Sequence, residues 1–324
     1  MIQFLELKNF RAFEHIRFED LARANLIIGG NNTGKTSVLE ALVLKLGSGQ
    51  QIQKLPSTFR EQIQGDEFAS YWNMIPHHSN WQGFAIKAND SWVYQDQNQN
   101  DVSRLLEDKD GNCRVIGKIK PDAFNVSALE SKDPASVIPT KASTPASISE
   151  LFNQIAPLNP DNEDRLERLL RQSVEPRLKR LRYAKPKGTK THLVYADLGN
   201  GPMLPFTQLG QAFCRVLEIY CEIFANQPKV ILIDEIENGL YYEGLSDFWN
   251  GLYEVLEDQD VQLFATTHSR ECMEAAHKAA AARKEYPLRY LRLDRRIDNP
   301  EKIVATTFGQ EVMQTAIDSK MEMR

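Results

Sequence analysis

Residues 24–46, ANLIIGGNNTGKTSVLEALVLKL, carry the strongest structural signal in the chain. They contain the pattern G-x-x-x-x-G-K-[ST], in which Gly29, Gly34, Lys35 and Thr36 hold the fixed positions. An apolar strand precedes the pattern, and a helix with apolar residues at helical spacing follows it through Leu46. This context favours a phosphate-binding loop over a chance glycine-rich turn.

Each residue type in this loop has a chemical reason. Backbone N–H groups that point inward from a tight loop bind the clustered negative charges of a triphosphate, and glycines permit that loop. The following helix adds its positive N-terminal end. Lys35 would reach the β- and γ-phosphates, and the Thr36 hydroxyl would bind Mg²⁺. We therefore expect ATP and Mg²⁺ to be bound here, by Gly29, Asn31, Asn32, Thr33, Gly34, Lys35, Thr36 and Ser37.

A second motif is the acidic strand end VILIDE at residues 230–235. In a parallel sheet such an apolar strand is buried on both faces, and its carboxyl end opens at the ligand crevice. Asp234 would hold Mg²⁺ through water, and Glu235 would orient or deprotonate the attacking water. Alone, the pair could merely end a strand, but together with the phosphate loop it predicts catalysis.

A third motif, QLFATTHS at residues 262–269, is another apolar strand, and it ends in Thr266, Thr267 and His268. A histidine at this position could contact the γ-phosphate and sense its loss. The alternative is a hydrogen-bonded loop histidine. Because this strand follows VILIDE in the chain, we favour the role of a γ-phosphate sensor for His268.

Composition limits the possible classes of protein. The chain has 324 residues, 42% hydrophobic and 26% charged, which suits one large α/β domain or two lobes. The formal net charge of −5 gives no global basic field for nucleic acid. Arg165 to Lys190 is locally basic, and we interpret it as a solvated helix face. The four cysteines show no C-x-x-C spacing, so we expect a reduced, cytoplasmic setting.

Targeting and metal signals are weak. The N-terminal MIQFLELKNF carries Glu6 early and lacks a long apolar core, so we do not expect a signal peptide. No apolar run approaches the ~18 residues that a membrane span needs, so no membrane partner is expected. We interpret His77-His78 as part of a polar loop rather than a metal site.

Periodicity and turn signals predict further elements. A loop is expected over 134–145 because of its three prolines, and helices with loops over 50–80. The predicted helices are Asn162 to Leu181, Phe213 to Phe224 and Leu245 to Leu256. The predicted strands outside the motifs are Ile2 to Lys8, Ala85 to Lys87, Ser91 to Tyr94, Arg114 to Ile119 and His192 to Leu198.

The motifs also resemble a family. The segment LELKNFRAFEHIRFEDLARANLIIGGNNTGKTSVLEAL resembles the start of the SMC, RecF and OLD ATPases, which open with a strand, an N-F-R turn and a phosphate loop running into S-x-x-E-A. VILIDEIENGLYYEGLSDFW and VQLFATTHSRECMEA look like the stand-alone OLD-like branch. The resemblance covers residues 1–46 and 192–280 and is poor between them.

In this family two heads sandwich two nucleotides, and each nucleotide contacts a signature segment of the opposite head. The matching segment is PFTQLGQAFCR at 205–215, where Thr207 would present a hydroxyl and Gly210 would allow close approach. The usual L-S-G-G-[QE] is not present, and an ordinary helix start is the alternative. The resemblance also implies that Asn238 crosses the dimer interface and that Arg11 lies near the base or phosphates. The family's glutamine loop would fall near Pro139 to Ser143, without an assigned residue.

The resemblance implies an α/β fold: a P-loop NTPase, ABC-ATPase-like head with a mixed sheet, an N-terminal antiparallel β subdomain and an inserted helical lobe. We expect residues 1–46 and 192–324 to form the nucleotide-binding core of a single domain. Residues 47–191 would form the inserted β/helical lobe.

The function implied is an ATPase switch that dimerises head to head around ATP and controls a separate effector, a nuclease or toxin, in anti-phage defence. The stretch after His268 is too short for an added nuclease domain, so we expect any nuclease to be a separate protein. One alternative is a RecF- or SMC-like ATPase that binds DNA in repair. Another is a nucleotide-binding scaffold that hydrolyses ATP very slowly.

Overall fold

The computed structural model of the chain describes residues 1–59, 83–96, 102–107, 112–119, 135–141, 143–185 and 191–319. The helices are α1 Lys35–Leu46, α2 Gly49–Phe59, α3 Pro145–Leu158, α4 Pro160–Ser173, α5 Gln211–Asn226, α6 Leu245–Asp258, α7 Arg270–Ala281 and α8 Gln310–Asp318. The strands are β1 Leu5–Phe10, β2 Phe13–Phe18, β3 Ala24–Gly29, β4 Gly83–Ala88, β5 Ser91–Asp96, β6 Val102–Glu107, β7 Cys113–Ile119, β8 Ala135–Ile138, β9 Arg180–Ala184, β10 Leu193–Asp197, β11 Leu204–Pro205, β12 Val230–Ile233, β13 Gln262–Thr266, β14 Leu288–Arg295 and β15 Ile303–Phe308.

A mixed sheet with the strand order β15-β14-β3-β13-β12-β8 forms the centre of the fold. From β14 to β8 each neighbouring pair is parallel, and β15 pairs with β14 in the antiparallel direction. Every residue of β3, β12 and β13 is buried, as expected for apolar strands covered on both faces. The carboxyl ends of these three strands therefore meet at one edge of the sheet.

Two hydrophobic cores cover the two faces of this sheet. Along β12, Ile231 and Ile233 point into one core and Leu232 into the other, because side chains alternate along a strand. The first core contains apolar side chains of α3, α5, α6 and α7. The second contains α1 and the N-terminal strands. Both faces of the sheet are thus shielded from water along β3, β12 and β13, whereas the edge strand β15 is mostly half-buried.

The N-terminal strands belong to an antiparallel sheet with the order β2-β1-β4-β5-β6-β7. Phe10 of β1 packs edge-on against Phe84 of β4, with 5.5 Å between the ring centroids. Strands β9, β10 and β11 form a separate antiparallel sheet. The antiparallel sheet at the N-terminus matters for the site because Phe13 of β2 packs against the phosphate loop.

Two sequence predictions need correction. The predicted helix from Asn162 to Leu181 ends at Ser173, and Leu181 lies in β9. Pro176 explains the early end, because the residue before a proline is disfavoured in helical conformation. The predicted loop over 134–145 contains β8, which pairs with β12. The apolar run of β8 stands between Pro134 and Pro139, so the prolines bound the strand instead of interrupting it.

The other predicted elements are present, with ends that differ by a few residues. Besides β8, the structure adds α3, α7, α8, β2, β6, β9, β11, β14 and β15, which the sequence patterns did not predict. Cys221 is buried, and Cys214 is half-buried. His77-His78 and the part of the predicted 50–80 helical region beyond residue 59 lie outside the described residues.

The division into a nucleotide-binding core and an inserted lobe at 47–191 stays a prediction. Strand β8 falls within that range, and it is nevertheless an edge strand of the central sheet. In the described part of the chain, we find no helix with both the length and the apolar character needed to cross a bilayer.

Candidate active site

The loop between β3 and α1 has the backbone that its glycines predict. Gly29 has φ 143°, and a Cβ atom added there would lie 2.3 Å from the carbonyl oxygen of Leu293 in β14. Gly34 has φ 92°, and an added Cβ would lie 2.6 Å from Cζ of Phe13. Both positions therefore require glycine, for conformation and for space. The loop is held between β14 on one side and the Phe13 ring on the other.

The N-terminus of α1 faces this loop. Helix α1 begins at Lys35, and among the described residues no side chain caps its first N–H groups. Such N–H groups, together with the helix dipole, form a ready site for an anion. The start of α1 can therefore accept a phosphate group.

Lys35 is folded into the loop. Its side chain is 5% exposed, and Nζ donates hydrogen bonds of 2.8 Å to the carbonyl oxygens of both Gly29 and Gly30. Burial lowers the pKa of Lys35, and the negative charges of Asp234, Glu235 and Glu237 act in the opposite direction. The ammonium group is thus held beside the loop and the acidic strand end at once.

Asp234 stands at the centre of a group of threonine hydroxyls. Oδ1 of Asp234 accepts a 2.7 Å hydrogen bond from Thr266, and Oδ2 accepts a 2.9 Å bond from Thr140. The Thr36 hydroxyl lies 3.5 Å from Oδ1. These hard oxygen atoms are the ligands that Mg²⁺ prefers.

The residues present suit an Mg²⁺ ion that is bound by protein side chains and substrate phosphates together. Within the residues that the structure describes, no group of three or more His, Cys, Asp or Glu side chains is arranged to hold a metal ion. Mg²⁺ in phosphoryl-transfer sites is bound through one or two side chains plus phosphate oxygens and water. Thr36 and Asp234 match that mode of binding.

Glu235 has a left-handed backbone conformation, with φ 47°. This conformation is uncommon for a residue other than glycine and persists only where neighbours enforce it. Here the N–H of Glu235 donates a 2.8 Å bond to the Thr266 hydroxyl, and its carbonyl oxygen accepts a 2.9 Å bond from the N–H of Asn238. The turn directs the half-buried Glu235 into the cleft.

His268 follows β13 and is exposed. Its backbone N–H donates a 2.8 Å hydrogen bond to Oε1 of Glu237, and the N–H of Ser269 donates a 3.1 Å bond to the same oxygen. Glu237 itself lies two residues beyond Glu235. The acidic strand end and the histidine turn are therefore tied together directly.

These motifs surround one cleft with a volume of about 810 Å³. It opens at the edge of the sheet where β3, β12 and β13 end. Its lining comes from all three motifs and consists of Gly29, Gly30, Asn31, Glu235, Glu237, Asn238, Gly239 and His268.

The other loop residues fall into an exposed and a buried group. Asn31 and Asn32 are exposed, and Asn32 has φ 60°. Thr33 is buried and its hydroxyl donates a 2.9 Å bond to the carbonyl oxygen of Gly30, while Ser37 is buried in the first turn of α1. The carbonyl oxygen of Asn32 also accepts a 2.8 Å bond from Arg295, a contact that the sequence patterns did not predict.

Thr207 and Gly210 lie apart from this lining. Both are exposed, and both line a neighbouring cavity of about 500 Å³, which shares Asn238 and Gly239 with the first cleft. Gly210 has φ 91° and ends the turn before α5. The predicted contact between this segment and a nucleotide on the opposite head stays a prediction.

Arg11 lies in the interior of the chain. It is 4% exposed, and Nε donates a 3.0 Å hydrogen bond to Oε2 of Glu40 in α1. Among the described residues Arg11 therefore supports the helix that follows the phosphate loop. Its predicted place beside the base or the phosphates stays a prediction.

Three further residues at the site, Thr140, Glu237 and Arg215, had no role in the sequence analysis. Thr140 comes from the 139–143 segment, where a loop of the site was expected without an assigned residue. Glu237 follows the acidic motif by two residues and was given no role from the sequence. Arg215 in α5 connects these parts, because its guanidinium donates 2.8 Å bonds to the carbonyl oxygens of both Pro139 and Asp234. The sequence held one signal for Arg215: it is a charged residue in the first turns of α5, which begins after Gly210.

The basic segment from Arg165 to Lys190 forms ion pairs within the chain. Arg165 and Arg168 pair with Glu254, at 3.1 and 2.6 Å, and Arg180 pairs with Asp164 at 2.6 Å. Arg168 lies on the partly exposed face of α4 as predicted, but Arg165 is mostly buried against α6 and Arg180 lies in β9, so the predicted helix face covers only part of the segment.

A family model described as "AAA domain, putative AbiEii toxin, Type IV TA system" matches residues 24–274. A protein of Helicobacter pylori named "ATP/GTP phosphatase" is 23% identical to the chain over 338 aligned residues. The alignment covers 85% of this chain and 87% of that protein.

Solved structures with the same fold include an Smc head bound to the C-terminal winged-helix domain of ScpA, with a TM-score of 0.59 and 12% identity, over 97% of this chain and 99% of that one. Another is an Smc head with an extended coiled coil bound to the C-terminal domain of ScpA, derived from Pyrococcus furiosus, with a TM-score of 0.52 and 11% identity, over 99% of both chains. The likeness confirms the predicted fold, an α/β P-loop NTPase of the head type.

Proposed function

Because the chain belongs to the family described as "AAA domain, putative AbiEii toxin, Type IV TA system", it is an AAA-family ATPase, and we propose that it works as an ATP-driven switch. In this proposal two heads close around two ATP molecules, and hydrolysis reopens them. The observation that supports it best is the meeting of the phosphate loop, the acidic strand end and His268 in one cleft.

The phosphate loop binds the triphosphate in this proposal. Backbone N–H groups at the start of α1 and the ammonium of Lys35 contact the β- and γ-phosphates. To do so, Lys35 exchanges its hydrogen bonds to the carbonyl oxygens of Gly29 and Gly30 for bonds to phosphate. Thr36 and Asp234 would hold Mg²⁺, which would neutralise phosphate charge there.

Glu235 and His268 act on the terminal phosphate. The Glu235 carboxylate orients the attacking water or takes its proton, since it projects into the cleft from an enforced turn. His268 contacts the γ-phosphate from the adjacent strand end. When the γ-phosphate leaves, His268 at the end of β13 loses its contact, and Glu235 at the end of β12 no longer faces a phosphate.

Dimerisation around ATP would complete the site. The cleft is open to solvent at Asn31, Asn238 and His268, which are all exposed. At Gly210 a Cβ atom would meet no described atom within 4 Å, so the backbone before α5 is accessible. Within the described residues no side chain caps the N-terminus of α5. A second copy could therefore bring this helix end, with Thr207, to the γ-phosphate.

The output of the switch is proposed to be control of a separate effector, a nuclease or a toxin, in anti-phage defence in the cytoplasm. The family description names a putative toxin and a type IV toxin–antitoxin system, which connects the family with such systems but names no separate effector. Closing and opening of two heads would create and hide the surface that the effector binds.

The Glu235→Gln variant tests the proposal. The amide keeps the size of the side chain and cannot take a proton, so ATP should bind while hydrolysis slows by about 100-fold or more. With ATP the variant should elute as a dimer, and an affinity-tagged sample should retain the effector protein. Glu243→Gln, at an exposed carboxylate farther along the same segment, should behave like the unaltered protein.

A strictly monomeric elution profile of Glu235→Gln with ATP would contradict the sandwich. Unchanged turnover would remove Glu235 from the mechanism and leave a slow nucleotide-binding scaffold. ATP-dependent, salt-sensitive retention of DNA in place of a protein would favour the DNA-binding alternative.

A further inference from the structure

Glu237 lines the cleft, and the steps proposed above do not use it. Its carboxylate oxygen Oε1 accepts hydrogen bonds from two successive backbone N–H groups, His268 at 2.8 Å and Ser269 at 3.1 Å. Successive N–H groups that converge on one anion form a strong, oriented contact. The contact joins the segment after β12 to the turn after β13.

The turn that Glu237 binds contains His268. This turn is fixed before His268 by the N–H of Thr267, which donates a 3.2 Å bond to the carbonyl oxygen of Ile27 in β3. It is fixed afterwards by Ser269, whose hydroxyl caps α7 by accepting a 3.0 Å bond from the N–H of Cys272. Glu237 acts between these two anchors, at the residue whose side chain points into the cleft.

Glu237 is itself held in a defined turn. Its carbonyl oxygen accepts a 2.9 Å bond from the N–H of Leu240, and the N–H of Ile236 donates a 3.1 Å bond to the carbonyl oxygen of Thr266. The second carboxylate oxygen, Oε2, is buried and has no hydrogen-bond partner among the described residues. The two hydrogen bonds of Oε1 therefore tie the middle of the histidine turn to the segment after β12.

We propose that Glu237 is a positioning residue that sets the place of His268 at the γ-phosphate. This inference rests on the proposed function. Without the Oε1 contact, the backbone at His268 loses the bond that fixes its distance from Glu235, and displacements of about 1 Å are enough to slow catalysis strongly. Substrate affinity depends on the phosphate loop instead, so it should change little.

A double-mutant cycle tests the inference, with kcat and KM for ATP measured for Glu237→Ala, His268→Ala and the double variant. If Glu237 acts through His268, each single variant should lower kcat by about tenfold or more, with KM changed less than about threefold. The double variant should be no slower than the slower single variant, because both changes remove the same contribution.

Two conservative variants separate positioning from charge and from folding. Glu237→Gln keeps an oxygen at Oε1 and should keep kcat within about threefold of the unaltered protein. Glu237→Asp keeps the charge but shortens the side chain by one methylene, so it should lose kcat as Glu237→Ala does. Glu274→Ala removes a carboxylate that pairs with Arg270 at 2.6 Å in α7, and it should leave kcat unchanged.

Losses of kcat that multiply in the double variant would overturn the inference. So would an unchanged kcat in His268→Ala, or a Glu237→Gln variant as slow as Glu237→Ala. The failure of the proposed function looks different: the unaltered protein would not hydrolyse ATP, or Lys35→Ala would hydrolyse it at the same rate.

Discussion

At the scale of single residues, Lys35 is the side chain on which nucleotide binding depends most. It is buried, bonded to two loop carbonyl oxygens, and close to Asp234, Glu235 and Glu237. A positive charge in this position serves two purposes: it stabilises a cluster of carboxylates in the free protein and the triphosphate in the complex.

The Lys35→Ala variant should lose ATP binding. Removal of the ammonium leaves the phosphates without their charged partner, and we expect the dissociation constant to rise by about 100-fold or more. Calorimetric titration with ATP and Mg²⁺ measures the change. Lys229→Ala provides the control, because Lys229 lies at the opposite end of β12 and pairs with Asp260 at 3.3 Å. Equal ATP affinity in the two variants would contradict the assignment of the loop.

The pH dependence of ATP binding should reflect the same lysine. Burial lowers the pKa of Lys35 from its ordinary value of 10.5, so the free protein loses this charge at a lower pH than an exposed lysine does. Since the triphosphate binds the charged form, affinity should fall as pH rises through the lowered pKa. Titrations that run from about pH 7 to above the ordinary lysine pKa of 10.5 should show the decline, and Lys35→Ala should not show it. A flat profile in the unaltered protein would contradict this account.

At the scale of elements, the junction of β3 and α1 depends on Gly34. A side chain there would meet Phe13 at 2.6 Å and would sit at φ 92°. Gly34→Ala should therefore lower the free energy of unfolding by about 1–3 kcal/mol and also weaken ATP binding.

Gly30→Ala is the matched control in the same loop, because a Cβ there would lie 3.8 Å from Cγ2 of Thr33, an ordinary contact. Thermal and denaturant unfolding of both variants provides the comparison. Equal stability of the two would show that the Phe13 contact does not constrain the loop.

The segment after β8 should matter for the metal through Thr140. Thr140→Val keeps the shape of the side chain and removes the 2.9 Å hydrogen bond to Oδ2 of Asp234. Hydrogen bonds that orient a metal-binding carboxylate typically contribute about 10-fold or more in metal affinity. The Mg²⁺ concentration that gives half-maximal ATP hydrolysis should rise by about that factor. Thr306→Val, at an exposed position of β15, should leave it unchanged, and an unchanged value for Thr140→Val would contradict this role.

The elements also show what sequence can predict. The phosphate loop, the acidic strand and the histidine strand were predictable because each motif is local: apolar residues and a few polar ones at fixed spacing determine the chemistry. The role of Thr140 was not predictable, because it depends on β8 pairing with a strand far along the chain. The Pro-bounded run of β8 was mistaken for a loop because proline is a turn signal as well as a strand boundary.

The contacts of Glu237 could not be predicted from the sequence either, because they also depend on the tertiary structure. Its partners are backbone N–H groups of His268 and Ser269, and a backbone contact leaves no pattern in residue types. The end of α4 was predictable from Pro176, but the leucines at 178 and 181 continue the helical spacing. Periodicity alone therefore extended the predicted helix into β9.

At the scale of the whole molecule, the order of the strands explains why distant motifs form one site. Strand β13 lies between β3 and β12, and all three run in the same direction. Their carboxyl ends therefore place the loop at 29–37, Asp234-Glu235 and His268 at the same edge of the sheet. The open side of this cleft is where the proposed dimer would close.

The most direct test is a crystal structure of the Glu235→Gln protein with ATP and Mg²⁺. The β- and γ-phosphates should lie over the N-terminus of α1 and contact Nζ of Lys35. The metal ion should lie between Thr36 and Asp234, and Thr207 of a second copy should face the γ-phosphate. Nucleotide bound away from residues 29–37, or phosphates that contact neither Lys35 nor the ends of β12 and β13, would contradict the account.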